Sequence, residues 1–314
     1  KSAGIFLLFC PLFLAPPARG ASTRNSRLAA FYASDLDHGY FLPRVQALTG
    51  LGHLGPEAAG EVSLILVRYE KAPPFEHLLA LWALARIGTP EALSAAQAEA
   101  GAEEARLQRG SLAETAARVA YLAALPGKKS RRGKLDPALP QLYNAARNGN
   151  LEDRLLAAWA LYGVDTPVTN EVADGSMRAA ASRLDPARGN YTRYLTLIRL
   201  VGLPGADFMT AKLVQIAEHH DFGADFFAKR ARTVFTLAAL TSAENPQVEA
   251  FRQALPERLG SFLDHSQALQ DVLALGPYAC TPQVVDKLRI LAGKEDESDR
   301  SRSRKGLQFC GASP

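Results

Sequence analysis

Leucine and alanine recur at three- and four-residue steps along most of the chain, the spacing that lines one face of an α-helix. Leu78, Leu81, Trp82 and Ala85 form one such stripe. Comparable stripes run over 44–54, 76–87, 112–125, 152–164, 194–202, 232–240 and 267–275. Sustained alternation of β-branched residues between turns occurs nowhere, so the pattern predicts an all-α chain. Most stripes end in a short turn that leads to a proline preceded by a capping residue. Thr89-Pro90, Asp136-Pro137, Thr166-Pro167, Asn245-Pro246 and Thr281-Pro282 fit, with Gly55-Pro56 as a glycine variant. Proline at the first helical position costs no hydrogen bond, and Thr, Asn or Asp before it accepts an orphan backbone N–H. A helix over 206–219 follows 194–202 without a proline, and the pattern as a whole predicts about seven antiparallel helix pairs.

The pairs echo one another. Residues 78–90 return at 155–167, with eight of the thirteen positions identical at an offset of 77 residues. That offset is twice a period of roughly 35–45 residues, the mark of stacked helix-pair repeats. No pair buries its own apolar face, so each depends on its neighbours, and the expectation is an α-solenoid, a curved superhelix over 21–293. Residues 22–34 are expected to cap its first end. Residues 294–304 carry no apolar side chain, so 294–314 is expected to be a flexible C-terminal tail.

The run Arg44-Val45-Gln46-Ala47-Leu48-Thr49-Gly50-Leu51-Gly52-His53-Leu54-Gly55-Pro56-Glu57-Ala58-Ala59 resembles the Ala-Leu-Gly-x-Leu-Gly-x-x-Ala phrase of the HEAT-repeat family. The likeness is to its short HEAT-like, phycobilisome-lyase-type bacterial repeats, and Leu84 onward to Leu93 repeats the theme. The likeness covers roughly residues 40–293 and implies stacked helix pairs with an extended concave surface for partners. Tetratricopeptide repeats have similar length, but their Trp…Leu-Gly…Tyr spacing is absent.

The chain ends bear on compartment. Lys1 precedes the apolar run over 5–14 and the small-residue stretch Ala18-Arg19-Gly20-Ala21, the layout of a secretory signal peptide over 1–20. The apolar run is about half the ~20 residues of a membrane span and is broken by Pro11, so a tether to the membrane requires an uncleaved leader. Export predicts a periplasmic or extracellular protein, and there Cys280 and Cys310 are expected to pair. Closing that loop contributes ~3–4 kcal/mol in the chain-entropy model.

Net charge of +4 with dispersed basic residues implies no nucleic-acid binding. The densest basic cluster, Lys128-Lys129-Ser130-Arg131-Arg132-Gly133-Lys134, reads as a solvated loop, with contact to an anionic surface as the functional alternative.

Motifs for chemistry are sparse. His219-His220-Asp221, after Glu218, is the one histidine cluster; adjacent histidines on a helix point about 100° apart, so a helix-end role is favoured over a metal site. Gly50-Leu51-Gly52-His53-Leu54-Gly55 has dinucleotide-binding spacing but follows a helical pattern rather than a strand, so its glycines are expected to form a turn. Catalysts built on this scaffold leave signatures, such as the His-Glu pairs of di-iron enzymes, and the chain has no His-Glu dipeptide. Trp82 and Trp159, at equivalent repeat positions, are expected in the core rather than as aromatic platforms. Tyr191, Arg193 and Tyr194 are candidates for a polar rim, and Asn190-Tyr191-Thr192 matches a glycosylation acceptor.

The expectation is an exported, non-catalytic repeat protein, a protein-binding or scaffold module for a protein or peptide partner. No catalytic, cofactor-binding or metal-ligating residue is assigned. The alternative is an envelope enzyme or metalloprotein with site residues dispersed over the repeats, for which Glu218, His219, His220 and Asp221 are the candidate ligands.

Overall fold

The computed structural model describes residues 19–70, 72–127 and 133–218, together with 229, 232, 233, 236, 237, 240, 280, 282–293, 300, 303, 304, 306–308 and 310–313. Among them there is no strand, and the chain is an all-α helical-repeat array. A first helix, α1 (Arg19–Ser34), precedes five helix pairs. The inner members are α2 (Phe41–Leu54), α4 (Pro74–Ile87), α6 (Leu112–Ala124), α8 (Leu151–Val164) and α10 (Tyr191–Val201). The outer members are α3 (Val62–Tyr69), α5 (Pro90–Glu104), α7 (Leu139–Asn148), α9 (Pro167–Arg183) and α11 (Ala206–Glu218). Inner helices begin at residues 41, 74, 112, 151 and 191, advancing by 33 to 40 residues. The 77-residue echo therefore joins α4 to α8, two units apart. Of the two pairs expected beyond α11, the first and the opening helix of the second lie largely outside the described residues; Thr233, Thr236, Leu237 and Leu240 of the first are buried at helical spacing. Arg232 and Thr233 bond Thr192 and Tyr191 of α10, at 2.7 and 2.6 Å.

The array curls further than an open row. Each inner helix contacts the next, from α2 through α4, α6 and α8 to α10, and α10 returns onto α2. The seam is bonded: Gln46 Nε2 donates to Thr196 Oγ1 at 3.0 Å, and His53 Nε2 lies 3.2 Å from the Leu200 carbonyl. Helix α1, which fills the capping place expected of 22–34, locks the seam from outside, because its Tyr32 hydroxyl accepts from Arg199 of α10 at 3.1 Å.

Ring closure brings the two tryptophans together. Trp82 and Trp159 are buried in the core, as their spacing predicted, and their rings meet edge to face at 5.6 Å and 81°. Between their helices α6 presents Ala116, Ala117, Ala120 and Ala123, all buried, and this lack of volume lets α4 and α8 reach each other over it. The glycine string around residue 52 serves the same packing. A Cβ on Gly52 would lie 2.3 Å from the Trp82 ring, and one on Gly50 equally close to the Tyr32 ring, so both are helical contact points. Gly55 alone makes the expected turn, at φ 58°.

Local signals set the helix starts. Thr89 and Thr166 cap α5 and α9 as expected, accepting from Ala92 N and Thr169 N. Asp136 does not cap: it opens a 3-10 turn (Asp136–Ala138) that hands over to α7 at Leu139-Pro140. Unforeseen capping boxes close the inner helices α6, through Ser111 and Glu114, and α8, through Asn150 and Asp153. The disulfide Cys280–Cys310 is formed, 30 residues apart. Within the stretch expected as a flexible tail, Ser303 and Leu307 are fully buried and Cys310 is bonded to Cys280, while α12 (Pro282–Ala292) adds Val284, Leu288 and Leu291 to the core.

Candidate binding site at the mouth of the helix ring

The five inner helices run in the same direction, so their first turns share one end of the ring. There they enclose a cavity of about 140 Å³. Helix α2 supplies Phe41, Leu42 and Val45; α4 and α6 supply Phe75 and Ala113; α8 and α10 supply Glu152, Leu156, Arg193, Thr196 and Leu197. The wall is apolar apart from Glu152, Arg193 and Thr196. Trp159 follows one turn further along α8, beyond Leu156, where its ring meets that of Trp82 from α4.

The rim is aromatic and held by a buried charge. Glu76, in the first turn of α4, is 2% exposed and receives both Nε and Nη2 of Arg44 at 2.7 Å. The Glu76 bond raises the pKa of the guanidinium and keeps it charged. Arg44 Nη1 also donates to the carbonyls of His38 and Gly39, at 2.9 and 3.1 Å. This pins the loop before α2, where Tyr40 is 77% exposed and precedes Phe41, 39% exposed, in the cavity wall. The Phe41 and Phe75 rings stand 6.1 Å apart, and His38 lies 5.5 Å from Tyr40. Opposite them Arg193 donates to Glu152 at 2.5 Å, an ion pair open to solvent.

At the other end of the ring sits His53. Its Nε2–H donates to the Leu200 carbonyl, since a carbonyl only accepts, leaving Nδ1 as an acceptor. The imidazole meets the Trp82 edge at 5.3 Å and crowds Gly202, yet keeps one side open to solvent. Surrounding protein, with Arg86 and then Arg199 adding repulsion against the bonds to α10 carbonyls, lowers its pKa to about 4. The unfolded chain takes up a proton near pH 6.5 while the folded chain does not until about 4, so stability is lost as pH falls through that window and no further below it. Chemical denaturation at pH 7.5, 5.5 and 4.5 should show a steeper decline for the wild type than for His53→Gln. Equal declines would refute it, and the open side makes the difference smaller than for a sealed histidine.

Several residues singled out by sequence lie elsewhere or take other roles. Arg193 reaches the mouth, whereas Tyr191 is fully buried, its pKa raised by burial, and bonds Thr233 rather than forming a rim. Tyr194 packs half-buried on the core. Lys128 to Arg132, His219, His220 and Asp221 lie outside the described residues; Lys134 pairs with Glu104 at 2.9 Å. Among the described residues no group of three or more His, Cys, Asp or Glu is placed to hold a metal ion, and no helix is long and apolar enough to cross a membrane. Sequence reasoning missed the mouth. Its one available signal was a phenylalanine just ahead of two successive stripes, Phe41 and Phe75, each near a charged residue of the Arg44–Glu76 pair.

Fold and site together define an all-α helical-repeat protein with a pocketed ring. No protein-family model matches the chain, and neither does any curated protein sequence. Among solved structures it is similar to an engineered protein, with TM-score 0.33 and 14% identity over 94% of this chain and 84% of that one. It is also similar to human deoxyhypusine hydroxylase in complex with glycerol, with TM-score 0.30 and 16% identity over 93% of this chain and 98% of that one.

Proposed function

We propose that the protein is an exported, non-catalytic repeat module of the HEAT-like kind that binds a peptide segment of a protein partner at the mouth of its helix ring. The observation that carries this reading is the apolar cavity with Phe41 and Phe75 in its wall. Its volume of about 140 Å³ resembles the roughly 150 Å³ cavity that accommodates benzene in an engineered protein core. One aromatic or branched side chain fits, with the rim aromatics covering its neighbours. Panning a random peptide library against the full chain should enrich sequences with a large apolar residue at a fixed position. Ala113→Phe, which fills the cavity from a half-buried position, should abolish the enrichment with its circular dichroism unchanged. Equal recovery on both proteins would overturn the reading.

Export is supported by the leader-like start and by the Cys280–Cys310 bond, which oxidising compartments favour. Mass spectrometry of the protein isolated from its host should find a chain starting near Ala21. Recovery of residues 5–14 in the mature protein would instead make it membrane-tethered.

A further inference from the structure

Building on the peptide-binding reading, we propose that the residue inserted into the cavity is the C-terminal residue of the peptide, with its free carboxylate held by Arg193 and its backbone N–H accepted by Glu152. The cavity, about 140 Å³, takes a single side chain, so the residue seated in it suits the end of a peptide rather than a strand threaded through. The two charged groups in its wall stand side by side at the entrance, 2.5 Å apart. A terminal peptide residue presents the matching pair on one Cα: an anion for the guanidinium and a donor for the carboxylate. Opening the existing ion pair costs little, because both partners are solvent-accessible and such pairs contribute little. Arg193 is the more exposed member of the pair, 48% against 27% for Glu152, so the accessible charge at the entrance is the one that meets a carboxylate rather than the ammonium of an N-terminal residue.

The test is isothermal titration of the full chain with an acetylated pentapeptide ending in phenylalanine, as the free acid and as the C-terminal amide. The acid is expected to bind roughly tenfold or more tightly than the amide, the worth of one charge-assisted hydrogen bond. Arg193→Gln should erase that difference, while Ala113→Phe should remove the binding of both peptides. The proposal is overturned if acid and amide bind alike, if their difference survives Arg193→Gln, if neither binds, or if free phenylalanine competes as well as the peptide. Equal binding of acid and amide, with loss in Ala113→Phe, would leave peptide binding standing and remove only the terminal carboxylate.

Discussion

Replacing Trp159 with alanine is expected to cost about 3–5 kcal/mol, the range for truncating a buried aromatic whose cavity cannot collapse. Collapse is blocked here because the adjacent helix is already small at the site: α6 meets it with alanines, and Gly163 of α8 lies against Ala120. Trp82→Ala should cost a similar amount. The double variant should lose less than the sum by ~0.5–1.5 kcal/mol, because each single change also removes the edge-to-face contact. Urea denaturation of the three variants measures this, and strict additivity would mean that the rings do not support one another.

Glu103→Ala is the second large effect, again about 3–5 kcal/mol. The carboxylate, 3% exposed on α5, receives Nε of Arg118 at 2.6 Å and Nη1 of Arg106 at 2.7 Å. Arg118 is itself 5% exposed on α6, so removing Glu103 leaves a guanidinium in the core with the Arg109 carbonyl, 2.8 Å away, but without its counter-charge. The contrast is Lys134→Ala, which breaks an ion pair to Glu104 whose lysine is 58% exposed and should cost under ~1 kcal/mol. Replacing Glu103 and Arg118 together by leucine should recover most of the loss, since apolar side chains of similar size substitute well for a buried pair. Thermal and denaturant unfolding of these variants decide the matter; a loss below 1 kcal/mol for Glu103→Ala would show that water reaches the pair.

Local features were legible in the sequence where one residue type answers one physical need. The Thr-Pro starts of α5 and α9 and the tryptophan echo are of that kind. Asp136-Pro137 carried the same signature and failed, because Leu139-Pro140 three residues later offers a second start and the 3-10 turn absorbs the first. The glycines at 50 and 52 were read as a turn since spacing alone does not reveal the aromatic rings pressed against them. Closure was invisible for a different reason. Gln46 and Thr196 stand 150 residues apart, and neither is unusual in a helix. Likewise, Val45, Leu156 and Leu197 belong to the ordinary apolar stripe, and only curvature decides whether such a stripe faces a neighbour or a cavity. The buried arginines were equally hidden: Arg154 looks like a surface charge but donates to the Ala146, Arg147 and Gly149 carbonyls at the end of α7.

A necklace that fastens on itself cannot gain or lose a bead. Because α10 is clasped to α2, inserting or deleting one hairpin between them would pull Gln46 from Thr196 and His53 from Leu200. Open repeat arrays drift in length through duplication and melt from their ends; here the number of units from α2 to α10 is set by geometry, and fraying from either end of the chain meets the α2–α10 seam before it enters them.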